Sequence, residues 1–282
     1  MKTNSFLKTA VAFAIILFAS CSKDNSASNS DLTAADVAMT AKIDQSTNDV
    51  LDIAQDQYFQ QNVAGKGIIP TSSLPACAVI TTVRTNTSWT RTIDFGTEGC
   101  ALSNGNVIKG KIIFTGSVDF TTNLYTISYS FENFYHNGYL VEGNRTITRT
   151  LESTAANPEI HPVFVLTIDM TFTSPDGKIF KRVGTRTREF IVGYNTPLDL
   201  NDNVFLITGS WTTTFPNGDV ASTTITTPIR IENSCQYKIV SGVLTIIKND
   251  HTAILDYGNG TCDNTATLTI DGGAPTTITF GN

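Results

Sequence analysis

The sequence predicts an all-β protein with one helix ahead of its strands. From residue 78 onward, apolar and polar residues alternate with a period of two, which is typical of strands with one buried face. Short turns rich in Asn-Gly and Asp-Gly separate these segments, and the only helical pattern precedes them. We therefore expect an antiparallel meander of about a dozen strands. A flat sheet of that size is unusual, so it should curl into a sandwich or an incomplete barrel.

Residues 1–20 have the layout of a secretory signal peptide. Lys2 and Lys8 precede an apolar run over residues 10–18, and the small residues Ala19 and Ser20 follow it. The run is shorter than the ~20 residues that a membrane-spanning helix requires. A cleaved signal is therefore expected.

Cys21 stands directly after this cleavage region, in an arrangement that resembles a bacterial lipobox. In a lipobox the cysteine thiol takes a diacylglyceryl group and becomes the mature N-terminus. The alternative, a soluble secreted protein with an incidental cysteine, would leave an exposed reactive thiol. We expect residues 21–30 to form a lipidated tether whose partner is outer-membrane lipid, bound through acylated Cys21.

The helical pattern predicts an N-terminal amphipathic helix over residues 31–62. Thr33 and Asp36 have the spacing of a capping box, which satisfies backbone N–H groups at a helix start. Apolar residues then recur at helical intervals between aspartates. The helix is expected to dock on the sheet.

Residues 75–282 are expected to form the β domain. The stretch from Tyr125 to Tyr135 illustrates the pattern, with Tyr129 and Phe131 in the same row. Such a row packs in a core more often than it forms an exposed platform for sugar stacking. The Asn-Gly pair at residues 137–138 follows and predicts a two-residue hairpin turn.

Four cysteines in this region predict disulfides, because an exported protein folds in an oxidising compartment. The pattern apolar-Asp-aromatic-Gly-x-x-x-Cys occurs twice, ending at Cys100 and Cys262, with Cys77 and Cys235 upstream. The simplest pairing is Cys77 with Cys100 and Cys235 with Cys262, closing two related hairpin modules, 77–100 and 235–262. Each closed loop would contribute roughly 3 kcal/mol. Four cysteines allow three connectivities, so the pairing stays open.

The repeated Asp motif is interpreted as a turn rather than an ion site. A calcium loop needs side-chain oxygens at alternate positions, where the second copy has Gly258 and Gly260. Asp accepts hydrogen bonds from the backbone two residues on, and Gly supplies positive φ.

Candidate chemistry elsewhere is sparse. The three histidines lack zinc-site spacing and are expected in exposed turns. Glu132 and Glu142 flank the Asn-Gly turn, and a two-residue loop would place them on opposite sheet faces, against a glycosidase pair. Four arginines are expected on a solvated face: Arg145, Arg149, Arg186 and Arg188. No catalytic set, metal site or cofactor motif is predicted.

The longest loop without hairpin chemistry is expected to hold any ligand or cation site. It spans residues 193–203, and contacts concentrate on loops held by a rigid scaffold. The candidate residues are Asp199, Asn201, Asp202 and Asn203. With 25 acidic against 19 basic residues, the chain lacks the positive charge typical of a nucleic-acid partner.

Several of these features resemble a family of Bacteroidetes-type lipoproteins: the lipobox-like cysteine, the duplicated motif, and the phrases GYNTPLDLNDNVFLITG and LDYGNGTCDN. The segment SKDN after the cysteine is similar to the tag that sends such lipoproteins to the cell surface. The resemblance implies an outer-membrane, lipid-anchored protein at the cell surface and carries no activity over.

Two functions stay open on this basis. The first is a non-enzymatic binding, adhesion or structural protein of the outer membrane, with a glycan or protein ligand. The alternative is a cell-surface glycan or peptide hydrolase whose carboxylates meet only in the fold.

Overall fold

A computed structural model describes residues 31–64, 74–143, 145–196 and 199–279. Cys21, the signal peptide and the tether lie outside the described residues. The helix α1 spans Ala34–Ala64, and fifteen strands follow it. The strands are β1 (Val79–Arg84), β2 (Ser88–Asp94), β3 (Cys100–Ala101), β4 (Val107–Ser117), β5 (Tyr125–His136), β6 (Tyr139–Glu142), β7 (Arg145–Glu152), β8 (His161–Thr173), β9 (Ile179–Val192), β10 (Val204–Thr214), β11 (Val220–Glu232), β12 (Ile239–Lys248), β13 (His251–Asn259), β14 (Thr265–Ile270) and β15 (Thr276–Thr279).

All strands belong to one antiparallel sheet, as the sequence predicted. Its order follows the chain from β1 to β15, except that β3 pairs only with β4 and β7 lies between β5 and β8. The Asn-Gly turn is formed as predicted: His136 pairs with Tyr139, and Asn137 and Gly138 have φ of 48° and 83°. Each hairpin thus brings the next strand beside the last.

The sheet curls around α1, which lies inside the curl. Thr47 of α1 lies against Met170 of β8, the ring of Tyr58 is 5.1 Å from that of Tyr125 on β5, and Phe59 packs against Phe190 of β9. Most α1 side chains are consequently buried. This form corresponds to the incomplete barrel among the two expected shapes, with the helix enclosed rather than laid on an outer face.

One narrow stripe of α1 is only partly covered by the sheet. Its members are exposed or half-buried and recur at helical spacing: Ala38, Lys42, Gln45, Asn48, Asp52 and Phe59. We call this stripe the seam. It marks the line along which the curled sheet leaves the helix open.

The predicted capping box begins the helix. The Thr33 N–H donates to Asp36 Oδ2 (3.0 Å), and the Asp36 N–H donates to Thr33 Oγ1 (3.1 Å). No helix among the described residues is both long and apolar enough to cross a membrane.

The four arginines expected in solvent are buried, so that expectation is wrong. Their exposed fractions are at most 3%, and Arg182 of β9 is fully buried beside them. Arg182 and Arg186 both donate to Asp44 of α1, and Arg188 donates to Asp52 at 2.6 Å. The alternation of β9 directs these side chains inward, where the helix carboxylates supply the opposite charge.

Arg145 and Arg149 of β7 are buried on the same inner face but rest on aromatic rings. The Arg145 guanidinium lies 5.3 Å from the Phe131 ring, and that of Arg149 lies 5.5 Å from the Tyr58 ring. Burial lowers the pKa of Arg145, while the Tyr129 hydroxyl partly offsets that effect. Within the described residues, Arg145 has no carboxylate in a salt bridge.

A β-bulge at Asn133 reverses the faces predicted for the end of the aromatic row on β5. Tyr125 and Tyr129 are buried as expected, but Asn133 has φ of 46° and adds one residue to β5 opposite Gly110. Phe134 then takes the inner face, and Tyr135 turns outward. A Cβ on Gly110 would lie 1.9 Å from the Asn133 carbonyl oxygen, so only glycine fits opposite the bulge.

The same bulge overturns the expected separation of Glu132 and Glu142. Phe134 and Val141 are buried, whereas both glutamates are exposed on the outer face of the sheet. Glu132 accepts a hydrogen bond from Lys111 at 2.9 Å. The two carboxylates therefore share a convex, open surface rather than lying on opposite faces.

We predict that Asp44→Asn lowers the free energy of unfolding by about 3–5 kcal/mol, because two buried guanidinium groups lose their counter-charge. Urea unfolding measures the effect. The matched control is Arg145→Met, which removes a buried charge that has no carboxylate partner and should leave stability unchanged or raised. A loss below about 1 kcal/mol for Asp44→Asn would contradict the importance of this ion pair.

Candidate functional site

The predicted disulfide pairing is present in the structure. Cys77 pairs with Cys100, with their Cα atoms 5.9 Å apart, and Cys235 pairs with Cys262, with theirs 5.3 Å apart. Each disulfide closes one of the two expected modules.

Both copies of the repeated Asp motif form the expected turn. Asp94 Oδ1 accepts a hydrogen bond from the Gly96 N–H (2.9 Å), and Asp256 Oδ1 accepts one from the Gly258 N–H (2.8 Å). Both glycines have positive φ. The motif positions the chain before each disulfide.

Two histidines expected in exposed turns are buried instead. His136 is 3% exposed and lies 2.7 Å from Asp49 Oδ2, and His161 is fully buried with Nδ1 2.8 Å from the Glu159 carbonyl oxygen. His251 is half-buried, and its Nδ1 lies 2.7 Å from Asp271. Among the described residues, no group of three or more His, Cys, Asp and Glu side chains is arranged to hold a metal ion.

The four candidate residues of the predicted ligand loop have two different roles. Asp199 Oδ1 accepts from the Asn201 N–H (3.0 Å), and Asp202 Oδ2 accepts from the Thr196 hydroxyl (2.5 Å), so both carboxylates hold the loop itself. Asn201 and Asn203 instead line a cavity. The loop thus contributes amides to a site on the seam.

This cavity, which we call the seam cleft, has a volume of about 250 Å³. Its floor is formed by the seam residues Asp52 and Phe59 and by the buried α1 residues beside them. Its walls come from the β3–β4 turn, the 199–203 loop, and the segment between β11 and β12. The residues that carry its polar and apolar chemistry are Asp49, Asp52, Gln55, Phe59, Leu102, Asn104, Arg188, Leu200, Asn203, Phe205, Asn233 and Lys238.

Asp52 forms ion pairs with two basic residues that line the cleft, Arg188 and Lys238. Its Oδ1 accepts from Arg188 (2.6 Å) and its Oδ2 from Lys238 (2.8 Å). Burial alone would raise the pKa of Asp52, but Lys238 and Arg188 together lower it to about 2. The carboxylate is therefore ionised and fully engaged at neutral pH.

Asp49 is engaged in the same way at the cleft's inner edge. Its carboxylate accepts from the Asn104 and Asn106 side-chain amides at 2.8 and 2.7 Å, and His136 Nε2 lies 2.7 Å from it. Neither Asp49 nor Asp52 has an idle oxygen with which to transfer a proton to a bound molecule.

Four polar atoms of the cleft-lining residues contrast with these saturated carboxylates. They are buried and have no hydrogen-bond partner among the residues that the structure describes: Gln55 Nε2, Asn203 Oδ1, Asn233 Oδ1 and Arg188 Nε. An unsatisfied buried polar group costs about 1–3 kcal/mol. Each of these atoms has almost no accessible surface, so the protein encloses it and a molecule in the cleft does not contact it in this structure.

Sequence reasoning found Asn201 and Asn203 but missed the rest of the cleft. Gln55 belongs to the expected helix, and Asn233 and Lys238 to a short connection with no motif. Only the curl of the sheet brings them together.

The chain matches no protein-family model, no curated protein and no solved structure. The physical chemistry of the cleft therefore carries the functional argument.

We predict that the Asp52 ion pairs stabilise the fold above about pH 4 and are lost as the pH falls through the lowered pKa. An Asp whose folded pKa lies below its ordinary value of 3.8 contributes stability only while it is ionised. With its side chain 24% exposed, the contribution should be about 1–2 kcal/mol.

The measurement compares urea unfolding of the native protein and Asp52→Asn at pH 5 and pH 2. The stability difference between them should shrink by most of that amount at pH 2, where about half of the Asp52 carboxylates in the folded protein are protonated. Asp199→Asn, in which the altered side chain holds only its own loop in the described contacts, serves as the control. A difference that does not change with pH would contradict the assignment.

Proposed function

We propose that this protein is a lipid-anchored envelope protein of the outer membrane that binds a ligand in the seam cleft and does not transform it. The observation that carries the binding role is the contrast inside the cleft. Its carboxylates Asp49 and Asp52 are held by cations and amides, while amide and apolar side chains line the rest of the space. Such an arrangement favours recognition by hydrogen bonds over acid–base chemistry.

The anchor is supported by the sequence. Cys21 follows a signal-like segment and a small-residue cleavage region, and the tether after it is rich in serine and asparagine. Lipidation there would hold the β domain near the bilayer without a spanning helix. The SKDN segment supports display at the cell surface.

The hydrolase alternative has weaker support. Glu132 and Glu142 share the outer face of the sheet, but Glu132 is paired with Lys111 at 2.9 Å. Both carboxylates lie on the open outer face of the sheet, whereas the two carboxyl groups of a glycosidase must flank a bound scissile bond. Binding is therefore the function that we favour.

We predict that the native protein carries acyl chains on Cys21 and sediments with the outer membrane. Intact-mass measurement of protein from its own host should show a mature chain that begins at a lipidated Cys21. Cys21→Ser should move the protein to the soluble fraction, because its membrane attachment depends on the acyl chains.

The matched control for this experiment is Ser22→Ala, which alters the neighbouring tether residue and leaves the thiol. An unmodified Cys21 in the native host would refute the anchor. Protease treatment of intact cells tests the surface address: a protein that survives on intact cells and is cut only after lysis faces inward.

A further inference from the structure

The strand β1 is an edge of the sheet that contributes little to the core. Within the described residues it pairs only with β2, and all of its residues except Ile80 are exposed. Alternation puts Val79, Thr81 and Val83 on the outer face, where the two valines are 66% and 59% exposed. The disulfide from Cys77, just ahead of β1, ties this strand to β3. The fold thus holds β1 in place although the strand buries little apolar surface.

The edge of β1 lacks the usual protection against pairing with another chain. Natural edge strands are protected by a short length, a proline, a lysine or a β-bulge. The register of β1 with β2 runs from Val79 to Arg84 without a shift, and a β-branched residue occupies every position before Arg84. By contrast, the described part of β15, the edge strand at the other end of the sheet, has only four residues. β1 is therefore the edge that is suited to accept a further strand.

The hairpin turn after β1 shows which backbone groups face the open edge. The Thr85 N–H donates to the Ser88 carbonyl oxygen (2.8 Å), so these two residues form a hydrogen-bonded pair. Hydrogen-bonded and non-hydrogen-bonded pairs alternate along an antiparallel ladder, so the odd-numbered residues of β1 bond to β2. The even-numbered residues direct their backbone N–H and C=O groups to the open edge: Ile80, Thr82 and Arg84.

A second copy of β1 fits this edge in one register. If two copies run antiparallel with Thr81 on the twofold axis, Ile80 of one copy lies opposite Thr82 of the other, and both offer edge-facing backbone groups. Val79 of each copy then lies opposite Val83 of the other in a non-hydrogen-bonded pair, in which the side chains approach most closely. A shift of one residue sets edge-facing groups against groups that bond to β2. A shift of two residues places each valine opposite a residue other than valine.

We infer that β1 is a dimerisation strand, through which two copies of this protein form one continuous sheet. The backbone groups at the edge would accept an extended segment of many sequences, as in other cases of strand addition. The side chains select a second copy, because the spacing of the two valines about Thr81 makes the strand complementary to itself. β1 does not line the seam cleft, so dimerisation is separate from the proposed ligand binding.

The test forms disulfides across the proposed axis in the full-length protein, in intact cells of its own host. Thr81→Cys sets two new thiols opposite each other in a non-hydrogen-bonded pair, whose Cα separation of about 4.5 Å suits a disulfide. We expect this variant to give a covalent dimer under mild oxidation, and reduction should reverse it. Thr277→Cys is the control, because Thr277 is exposed on the other edge strand, β15, and takes no part in the contact. It should stay monomeric.

A mixed experiment tests the register. Val79→Cys and Val83→Cys should cross-link to each other when both variants are present in the same cells. Neither should cross-link alone, because each position lies opposite the other one in the dimer and not opposite itself.

Two double variants change the contact at exposed positions only. Val79→Lys with Val83→Lys sets like charges opposite each other and should weaken dimerisation of the purified mature protein about 10-fold or more. Val79→Lys with Val83→Glu alters the same positions but sets opposite charges together, and should retain the dimer. Sedimentation velocity in detergent measures the dimer, and Tm values equal to that of the native protein show that both variants fold.

Each contrary result rules out a definite part of the inference. If Thr81→Cys does not cross-link although its thiol reacts with a maleimide, β1 is not a dimer contact. A cross-link through Thr277→Cys instead places the contact at β15. A cross-link of Thr81→Cys to a different protein, identified by mass, overturns the second copy as the occupant of this edge. Equal dimerisation of the two double variants overturns the valine register.

Discussion

The fold depends on matching the carboxylates of one enclosed helix to cations on the inner face of the sheet. A buried charge without a partner costs several kcal/mol, so α1 has few acceptable positions inside the curl. The ion pairs lie in the first two thirds of the helix, from Asp36, which pairs with Lys248, to Asp52, which pairs with Arg188 of β9. The carboxylates involved are Asp36, Asp44 and Asp52. Their role is to fix the register and rotation of the helix, since apolar packing alone would tolerate sliding. The seam, and with it the cleft, lies where this fixed rotation leaves α1 only partly covered by the sheet.

The parts of the fold that were predictable depend on local chemistry. Period-two alternation, the Asn-Gly turn and the capping box each use residues within a few positions of one another, so the sequence alone contains the whole signal. The disulfide pairing was predictable because a duplicated motif placed each cysteine in an equivalent position. In the candidate site, Asn201 and Asn203 were predicted on the general ground that loops carry contacts, and both line the cleft.

The parts that sequence reasoning missed depend on distant partners. Arg182 resembles an exposed strand residue until Asp44, 138 residues earlier, is placed inside the sheet. His136 likewise resembles an exposed turn residue until Asp49 of α1 is placed beside it inside the sheet. The bulge at Asn133 requires Gly110 on the neighbouring strand, and the single extra residue reversed the expected faces for Tyr135. Gln55 and Asn233 meet only because the sheet curls, and neither position carries a recognisable motif.

The enclosed helix also sets an order of events for a chain that leaves the ribosome N-terminus first. Asp36 precedes Lys248 by 212 residues, so α1 must wait for nearly the whole sheet before its last charge is matched. Contacts between residues so far apart in the sequence make folding slow, because the entropy cost of closing the large loop comes before the contacts that offset it. Until the strands have formed, a helix with an exposed apolar surface would be prone to aggregate. The aspartates and glutamines of α1 keep the helix compatible with water until the strands have formed. The same side chains that fix the position of the helix in the folded protein therefore protect it from aggregation before folding is complete.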